Sequence, residues 1–294
     1  MDRRTYYRRK KRKYRKYRRK RIQKLFIAGI FLFGSIVLVK NTFYDSWLRE
    51  ISVETASLIG RKHGIKNQDT LEKLREMAKT DGRVEMILNH ADRYPEDLLD
   101  MLAGNAEAAE FVLQYPEKKD REPATTTEGV VKGEIPLFLQ WDERWGYAEY
   151  GDTFLAVSGC GPTSLAMVAA GLTGNDSITP YAVARYAQDN GYYAGESGTS
   201  WLLMTEGGKA FGVAGEEIGA DEVSVLSALE NGHPIICSMR PGDFTTTGHF
   251  IVLTGVEDGK IKIHDSNSEK RSARAWEYDE IKYQINNLWA FTEL

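Results

Sequence analysis

The stretch SGCGPTS at residues 158–164, followed by the apolar run LAMVAA at residues 165–170, decides the fold of the C-terminal half of this chain. Gly159 and Gly161 allow backbone conformations that are closed to larger residues, and Pro162 suits an early helical position. The apolar run is long enough for a buried helix. The pattern therefore predicts a turn into a helix that has Cys160 at its N-terminus, where the helix dipole favours thiolate over thiol.

Two further polar residues stand at the edges of strand-like apolar segments. His249 precedes FIVL at residues 250–253, and Asp265 follows IKIH at residues 261–264. A thiol, an imidazole and a carboxylate at the edges of ordered elements are the groups that make up a nucleophile, its base and the residue that orients the base. The alternative for Cys160 alone is a small, buried and inert cysteine beside a glycine turn.

The order of these motifs resembles the papain-like cysteine peptidases, specifically the branch related to the double-glycine leader peptidases of bacteriocin export. The resemblance rests on GCGPTS at residues 159–164, GHF at residues 248–250, LQWD at residues 139–142 and Trp145, and it extends over residues 134–294. It implies a two-lobed fold. The nucleophile would head a helix of one lobe, while the base and its orienting residue would come from the sheet of the other.

The resemblance also implies a role for each candidate residue. Cys160 would attack a carbonyl carbon and form a thioester, His249 would transfer the proton, and Asp265 would orient the imidazole. Asn267 is the alternative orienting residue, because asparagine has this role in many relatives. Gln140, with the backbone N–H of Cys160, would donate to the oxyanion. In the papain pattern this glutamine lies only a few residues before the cysteine, whereas here it lies twenty residues before it.

The C-terminal segment has the pattern of an α+β domain. Helices are predicted at residues 181–190, 200–211 and 222–230, and strands at residues 234–239, 249–256, 260–264 and 288–292. The turn EDGK at residues 257–260 predicts a hairpin. Helices followed by an antiparallel sheet indicate the α+β class, which agrees with the two-lobed plan.

The remaining cysteine and the histidines do not suggest another site. Cys237 lies in the apolar segment IICSM at residues 235–239 and is predicted to be a buried strand residue. A disulfide between Cys237 and Cys160 is the alternative in an exported chain. Two distant cysteines and five scattered histidines show no metal-ligand spacing. Neither a metal nor a cofactor is therefore expected.

Charge is divided unevenly along the 294 residues, although the formal net charge is only −3. Fourteen Lys and Arg residues lie between Arg3 and Arg21, against the single acid Asp2. Beyond Lys40 there are 23 basic and 41 acidic residues, a net charge of −18. Residues 1–24 are therefore a polycation. Nucleic-acid binding is the alternative use of this run, but beside a hydrophobic segment we interpret it as a topology signal that also contacts anionic lipid.

Fifteen uncharged residues at positions 25–39 follow this tail. As a helix the run is shorter than the ~30 Å hydrocarbon layer, but Lys24 and Lys40 can snorkel and residues 41–44 can extend it. A cleavable signal peptide is the alternative, although no small-x-small pattern follows the run. We predict an uncleaved, single-pass anchor at residues 25–44, with the tail in the cytoplasm and the rest of the chain outside the cell.

Between the anchor and the C-terminal domain, residues 45–116 are predicted to form a small all-helical module, because apolar residues recur at helical spacing. Pro116 is expected to end its last helix. Residues 117–133 are polar and have the composition of a linker. The module presents no catalytic group, so its expected role is a stalk or a prop for a separately folding domain at residues 134–294.

These expectations combine into one function and two alternatives. The chain is expected to be a membrane-tethered extracellular cysteine peptidase, typical of a Gram-positive bacterium in which such an anchor leaves the domain at the wall. The alternatives are a peptidoglycan amidase or endopeptidase of the same fold, and a papain-like binding module without turnover. The expected partners are a peptide or peptidoglycan-peptide substrate and membrane lipid. Oligomeric state is not indicated.

Overall fold

The computed structural model describes residues 65–195 and 198–294. The predicted basic tail at residues 1–24, the predicted anchor at residues 25–44 and the first part of the helical module lie outside the described residues. Within those two ranges, no helix is both long enough and apolar enough to cross a bilayer.

The described chain is a mixture of helices and antiparallel strands. In chain order the helices are α1 (Gln68–Ala78), α2 (Gly82–Asn89), α3 (Glu96–Gly104), α4 (Ala109–Lys118), α5 (Leu155–Ser158), α6 (Cys160–Thr173), α7 (Pro180–Asp189), α8 (Leu202–Thr205), α9 (Glu222–Glu230), α10 (Glu269–Ser272) and α11 (Tyr278–Ile281). The strands are β1 (Glu149–Tyr150), β2 (Thr153–Phe154), β3 (Val213–Glu217), β4 (Ile235–Met239), β5 (His249–Glu257), β6 (Lys260–Asp265), β7 (Ala275–Trp276) and β8 (Ile285–Glu293). The predicted mixed fold is thus confirmed.

The main sheet has six strands in the order β3-β8-β4-β5-β6-β7, and all its pairs are antiparallel. Each strand predicted from the sequence is present. Two strands of the sheet were not predicted, because β3 has the sequence VAGEE without apolar alternation and β7 has only two residues. The segment predicted as one helix at residues 200–211 is instead α8 followed by a 3₁₀ turn at Gly207–Phe211, since two adjacent glycines are poor helix formers.

Both faces of the sheet are buried, and α6 occupies one of them. On the α6 face the sheet contributes Ile236, Phe250 and Val252, among other residues. On the opposite face, alternate residues of β4 and β5 pack with α9. Every residue of α6 from 161 to 171 is buried, and Gly174, whose φ of 72° favours glycine, caps the C-terminal end of the helix. Cys160 therefore begins a helix that is fixed by the core on all sides.

The helical segment α1–α4 packs against the C-terminal domain. Its apolar core includes Tyr147 and Ala156 from the chain that leads to α6. The ring of Phe111 stacks on the ring of Tyr147 with centroids 4.2 Å apart, and Tyr147 Oη donates a hydrogen bond to the Phe111 carbonyl at 2.7 Å. All described residues fall in one compact unit. The segment is thus a packed part of the domain, in contact with the chain that precedes Cys160.

The end of this segment differs from the sequence-based expectation. Helix α4 passes through Pro116 and ends at Lys118. A proline inside a helix loses one backbone donor, but the loss is small here because only the last turn is affected, and Lys119 N still donates to Tyr115 O at 2.9 Å. Beyond it, the predicted linker follows the domain surface, where Thr127 N donates to Asp176 O at 2.8 Å. The domain bounds themselves stay a prediction.

Candidate active site

Cys160 is the first residue of α6, as the glycine-flanked motif predicts. The motif needs both glycines for space. A Cβ at Gly159 would collide with the Leu155 carbonyl, and a Cβ at Gly161 would lie 2.8 Å from Thr199 Cβ. Leu155 and Thr199 thus lie close against the backbone on either side of Cys160. The thiol lies at the N-terminus of α6, where the helix dipole favours a negative charge. The thiol is partly exposed.

His249 and Asp265 meet on adjacent strands. His249 begins β5 and Asp265 ends β6, and the register pairs Ile251 with Asp265. His249 lies two residues before Ile251, so His249 and Asp265 are diagonal neighbours on the two paired strands. His249 Nε2 lies 2.8 Å from Asp265 Oδ1. Since Nε2 is engaged in this way, Nδ1 is the ring nitrogen that remains for the thiol.

Asp265 is fully buried and receives three donors. In addition to His249, the Asn267 backbone N–H donates to Oδ1 at 2.8 Å, and Arg271 Nε donates to Oδ2 at 2.5 Å. Arg271 was not expected from the sequence. The sequence feature that could have indicated this contact is Ser268, a serine suited to cap a helix. Ser268 caps α10 by accepting from Arg271 N, and this cap places Arg271 in the first turn of α10, close to Asp265.

The side chain of Asn267, the alternative orienting residue, bonds to the helical segment. Its side-chain Oδ1 accepts a hydrogen bond from Asn105 Nδ2 at 2.9 Å, and its carbonyl accepts from the same nitrogen at 2.7 Å. Between the two candidates, it is Asp265 that contacts His249.

Gln140 has partners that do not match the oxyanion role. Its Nε2 donates to the carbonyl of Ala156 at 2.7 Å and to the carbonyl of Val157 at 3.3 Å, while Oε1 accepts from Ser266 Oγ at 3.0 Å. Both amide hydrogens are therefore directed at backbone carbonyls. In this arrangement Gln140 ties the chain before Cys160 to the loop that follows Asp265.

The thiol and the imidazole shift each other's proton affinity. Burial is the strongest influence on Cys160 and raises its pKa, but the hydrogen bond and charge of His249 act against it, and so do backbone groups of Phe250 and Gly161. The pKa of Cys160 therefore lies below its ordinary value. For His249, burial lowers the pKa, but the charge and hydrogen bond of Asp265, and then Cys160, raise it above its ordinary value.

The carboxylate that supports this pair stays ionised. Burial raises the pKa of Asp265, but the charge and hydrogen bond of His249 and those of Arg271 outweigh it, so the pKa lies below its ordinary value. A raised pKa on His249 beside lowered pKa values on Cys160 and Asp265 is typical of acid–base sites.

Cys160 and His249 open into a cleft of about 780 Å³. The walls come from both halves of the fold and also from the helical segment, which contributes Asp97. Other residues that line the cleft include Ser158, Tyr193, Thr199, Trp201, Ser238 and Gly248. Trp201 is 42% exposed, so the cleft offers an aromatic surface to an extended ligand.

The second cysteine has no part in this arrangement. Cys237 lies in β4 and is completely buried, as predicted, and burial raises its pKa. Both cysteines are free thiols, so the disulfide alternative is wrong. The chain therefore contains one partly exposed thiol with a lowered pKa and one buried thiol with a raised pKa, and the buried thiol can serve as an internal reference.

Comparison with known proteins identifies the family of this domain. The model of the Peptidase_C39 like family matches residues 132–293. Among solved structures, the peptidase domain of Streptococcus ComA, a bi-functional ABC transporter involved in a quorum sensing pathway, is similar at 21% sequence identity. The similarity covers 47% of this chain and 93% of that chain, with a TM-score of 0.35. No curated protein matches significantly.

The family match begins within the predicted linker and includes every strand of the six-stranded sheet. It confirms the resemblance that the motifs around Cys160 and His249 indicated. The helical segment α1–α4 lies outside the match. Because the match covers more than half of the chain, this protein belongs to the Peptidase_C39 like family and is a cysteine peptidase.

Proposed function

We propose that this cysteine peptidase hydrolyses peptide bonds outside the cell, on a membrane tether, through a triad of Cys160, His249 and Asp265. The contact between His249 Nε2 and Asp265 Oδ1 at 2.8 Å, beside a thiol whose pKa is lowered by His249, is the observation that supports the triad most strongly. A papain-like binding module without turnover would not need a buried Asp265 that raises the pKa of His249.

The proposed reaction follows from these proton affinities. The Cys160 thiolate attacks the carbonyl carbon of the scissile bond, and the carbonyl oxygen takes the negative charge. His249, which carries the proton on Nδ1, gives it to the amide nitrogen as the C–N bond breaks and the amine leaves. A thioester remains on Cys160. His249 then removes a proton from water, the hydroxide attacks the thioester, and the acid product leaves as the Cys160–His249 pair is restored.

The donors to the oxyanion form a separate part of the proposal. The backbone N–H of Cys160 lies at the N-terminus of α6, where N–H groups point out of the helix. The expected contribution of Gln140 would require its amide to leave the carbonyls of Ala156 and Val157. In the observed geometry Gln140 instead supports the position of the chain that carries Cys160.

Peptide cleavage is tested with the full-length protein purified in detergent. We expect incubation with a complex peptide library to produce new peptide termini by mass spectrometry, and pre-treatment with iodoacetamide at mildly acidic pH to prevent them. A parallel digestion uses purified peptidoglycan. Products from peptidoglycan alone would favour the amidase or endopeptidase alternative, and no products from either substrate would favour the binding module.

The membrane tether and the extracellular location rest on the sequence of residues 1–44. We expect protease added to intact, wall-stripped cells to digest the chain beyond Lys40 and to spare the basic tail, because fourteen basic residues before the apolar run hold that end in the cytoplasm. Immunoblots with epitopes at each end provide the measurement. Digestion of the tail from outside would contradict this topology, and a shortened protein in the medium would indicate signal cleavage.

A further inference from the structure

The helical segment α1–α4 contacts the loop that carries the proposed orienting carboxylate. Asn105, which precedes the 3₁₀ turn Ala106–Ala108, uses both hydrogens of its amide on Asn267. Two residues later, Glu107 accepts from Ser268 Oγ at 2.5 Å and from Lys270 N at 3.1 Å. Residues 267–270 are thus held by four hydrogen bonds from a part of the chain about 160 positions away.

The same loop residues hold Asp265 in place. Asn267 N donates to Asp265 Oδ1 at 2.8 Å, and Ser268 N donates to the Asp265 carbonyl at 3.1 Å. Ser268 Oγ also accepts from the backbone N–H of Arg271, whose Nε donates to Asp265 Oδ2. The helical segment is therefore linked to Asp265 Oδ1 through one residue, Asn267, and to Asp265 Oδ2 through two residues, Ser268 and Arg271.

The segment also contacts the chain that leads to Cys160. Phe111 stacks on Tyr147, and Asp97 Oδ2 accepts a hydrogen bond from Thr153 Oγ1 at 2.5 Å at the wall of the cleft. One packed group of helices thus contacts both the part of the fold that supplies the thiol and the part that supplies the imidazole and carboxylate. Relative displacement of these halves would change the distance between Cys160 and His249.

We propose that Asn105 and Glu107 are positioning residues of the peptidase, and that the helical segment braces the Asp265 loop so that the triad is assembled only when the segment is docked. This inference rests on the proposed triad. It assigns a function to a part of the chain that lies outside the family match, and it replaces the expectation of a passive stalk. Asn105 and Glu107 act through Asn267, Ser268 and Lys270, and neither touches the reacting atoms.

Asn105→Asp separates positioning from folding. Aspartate keeps the size of asparagine and keeps the oxygen that caps the 3₁₀ turn by accepting from Glu107 N at 3.0 Å. It loses both donors to Asn267 and places a negative charge against two oxygens. In the full-length protein we expect alkylation of Cys160 by iodoacetamide at pH 6 to slow by about tenfold, which corresponds to one unit in the pKa of the thiol. We expect kcat/KM for a cleaved peptide to fall through kcat, with KM little changed.

Substitutions at Glu107 provide a second test of the positioning role, together with a conservative variant that should restore part of the rate. Glu107→Ala removes both acceptors and is expected to resemble Asn105→Asp, whereas Glu107→Gln keeps one acceptor oxygen and is expected to restore part of the rate. The matched controls are Glu110→Gln, on α4 but bonded to Gln114, and Asn231→Asp, whose amide donates to Ser227 O at 2.7 Å. Both controls are expected to retain the wild-type rate.

The outcomes are distinguishable. A wild-type Cys160 that reacts only at alkaline pH would contradict the proposed triad itself. A wild-type Cys160 that reacts at pH 6, together with unchanged pH profiles in Asn105→Asp and Glu107→Ala, would overturn the positioning role alone. Alkylation of the buried Cys237 reports unfolding, and a variant in which Cys237 is alkylated is therefore set aside. If Asn105→Asp is set aside for this reason, the comparison of Glu107→Gln with Glu107→Ala tests the positioning role.

Discussion

Replacing Cys160 with alanine is expected to lower peptide cleavage by roughly 10⁴-fold or more, because removal of the nucleophile eliminates the covalent route. His249→Ala is expected to have an effect of similar size, since the thiol then has no base and the leaving group has no acid. Initial rates on one peptide identified by mass spectrometry provide the measurement, at equal protein concentration and with circular dichroism as the folding control. Retained turnover in Cys160→Ala would assign the chemistry to another residue.

The thiol itself reports whether the pair is assembled. Burial raises the pKa of Cys160 and His249 lowers it, so loss of the imidazole leaves burial to dominate. In the wild type we expect iodoacetamide to modify Cys160 rapidly at pH 6, well below the ~8.5 pKa of a free cysteine. In His249→Ala the rate should fall by at least tenfold at that pH and recover only at alkaline pH.

Cys237 provides the control within the same molecule, because it is completely buried and burial raises its pKa. Equal labelling of the two cysteines in the native wild type would show that the Cys160–His249 pair is not formed. A His249→Ala protein that labels as fast as the wild type at pH 6 would assign the low pKa of Cys160 to the helix N-terminus alone.

Asp265→Ala is expected to lower kcat/KM by roughly 10⁴-fold, the order of magnitude found when the orienting carboxylate of a serine-protease triad is replaced. The side chain is fully buried and contacts His249 Nε2, Asn267 N and Arg271 Nε, so alanine leaves three donors without an acceptor. Steady-state kinetics on the same peptide provide the measurement. Asp279→Asn, an exposed carboxylate paired with Lys282, is the control and should retain the wild-type rate.

Asp265→Asn separates orientation from charge. Asparagine can still accept from His249 Nε2, so a smaller loss of rate than in Asp265→Ala is expected. The charge of Asp265 raises the pKa of His249, and without it that pKa falls. Activity requires the protonated imidazole, so the alkaline limb of the pH–rate profile should move to lower pH. An unchanged alkaline limb would contradict this electrostatic role.

Local patterns were enough to predict the elements of the C-terminal domain. Apolar periodicity predicted α7, α9 and the strands β4, β5, β6 and β8 near their observed positions, because each depends on residues next to it in the chain. Elements without such a signal were missed. Strand β3 is held by pairing with β8 and not by its own sequence, VAGEE.

The sequence by itself determined that Cys160 begins a helix and that His249 and Asp265 stand at strand ends, because helix starts and strand alternation are set over a few residues. Only the tertiary structure decided which polar group reaches His249. Asp265 and Asn267 are two residues apart, and the β5–β6 register places one on His249 and leaves the other to Asn105. The partners of Gln140 and the contacts of Arg271 and Glu107 likewise depend on tertiary packing, which brings distant segments of the chain together. Such contacts join residues up to about 160 positions apart, and the packing of whole elements brings them together.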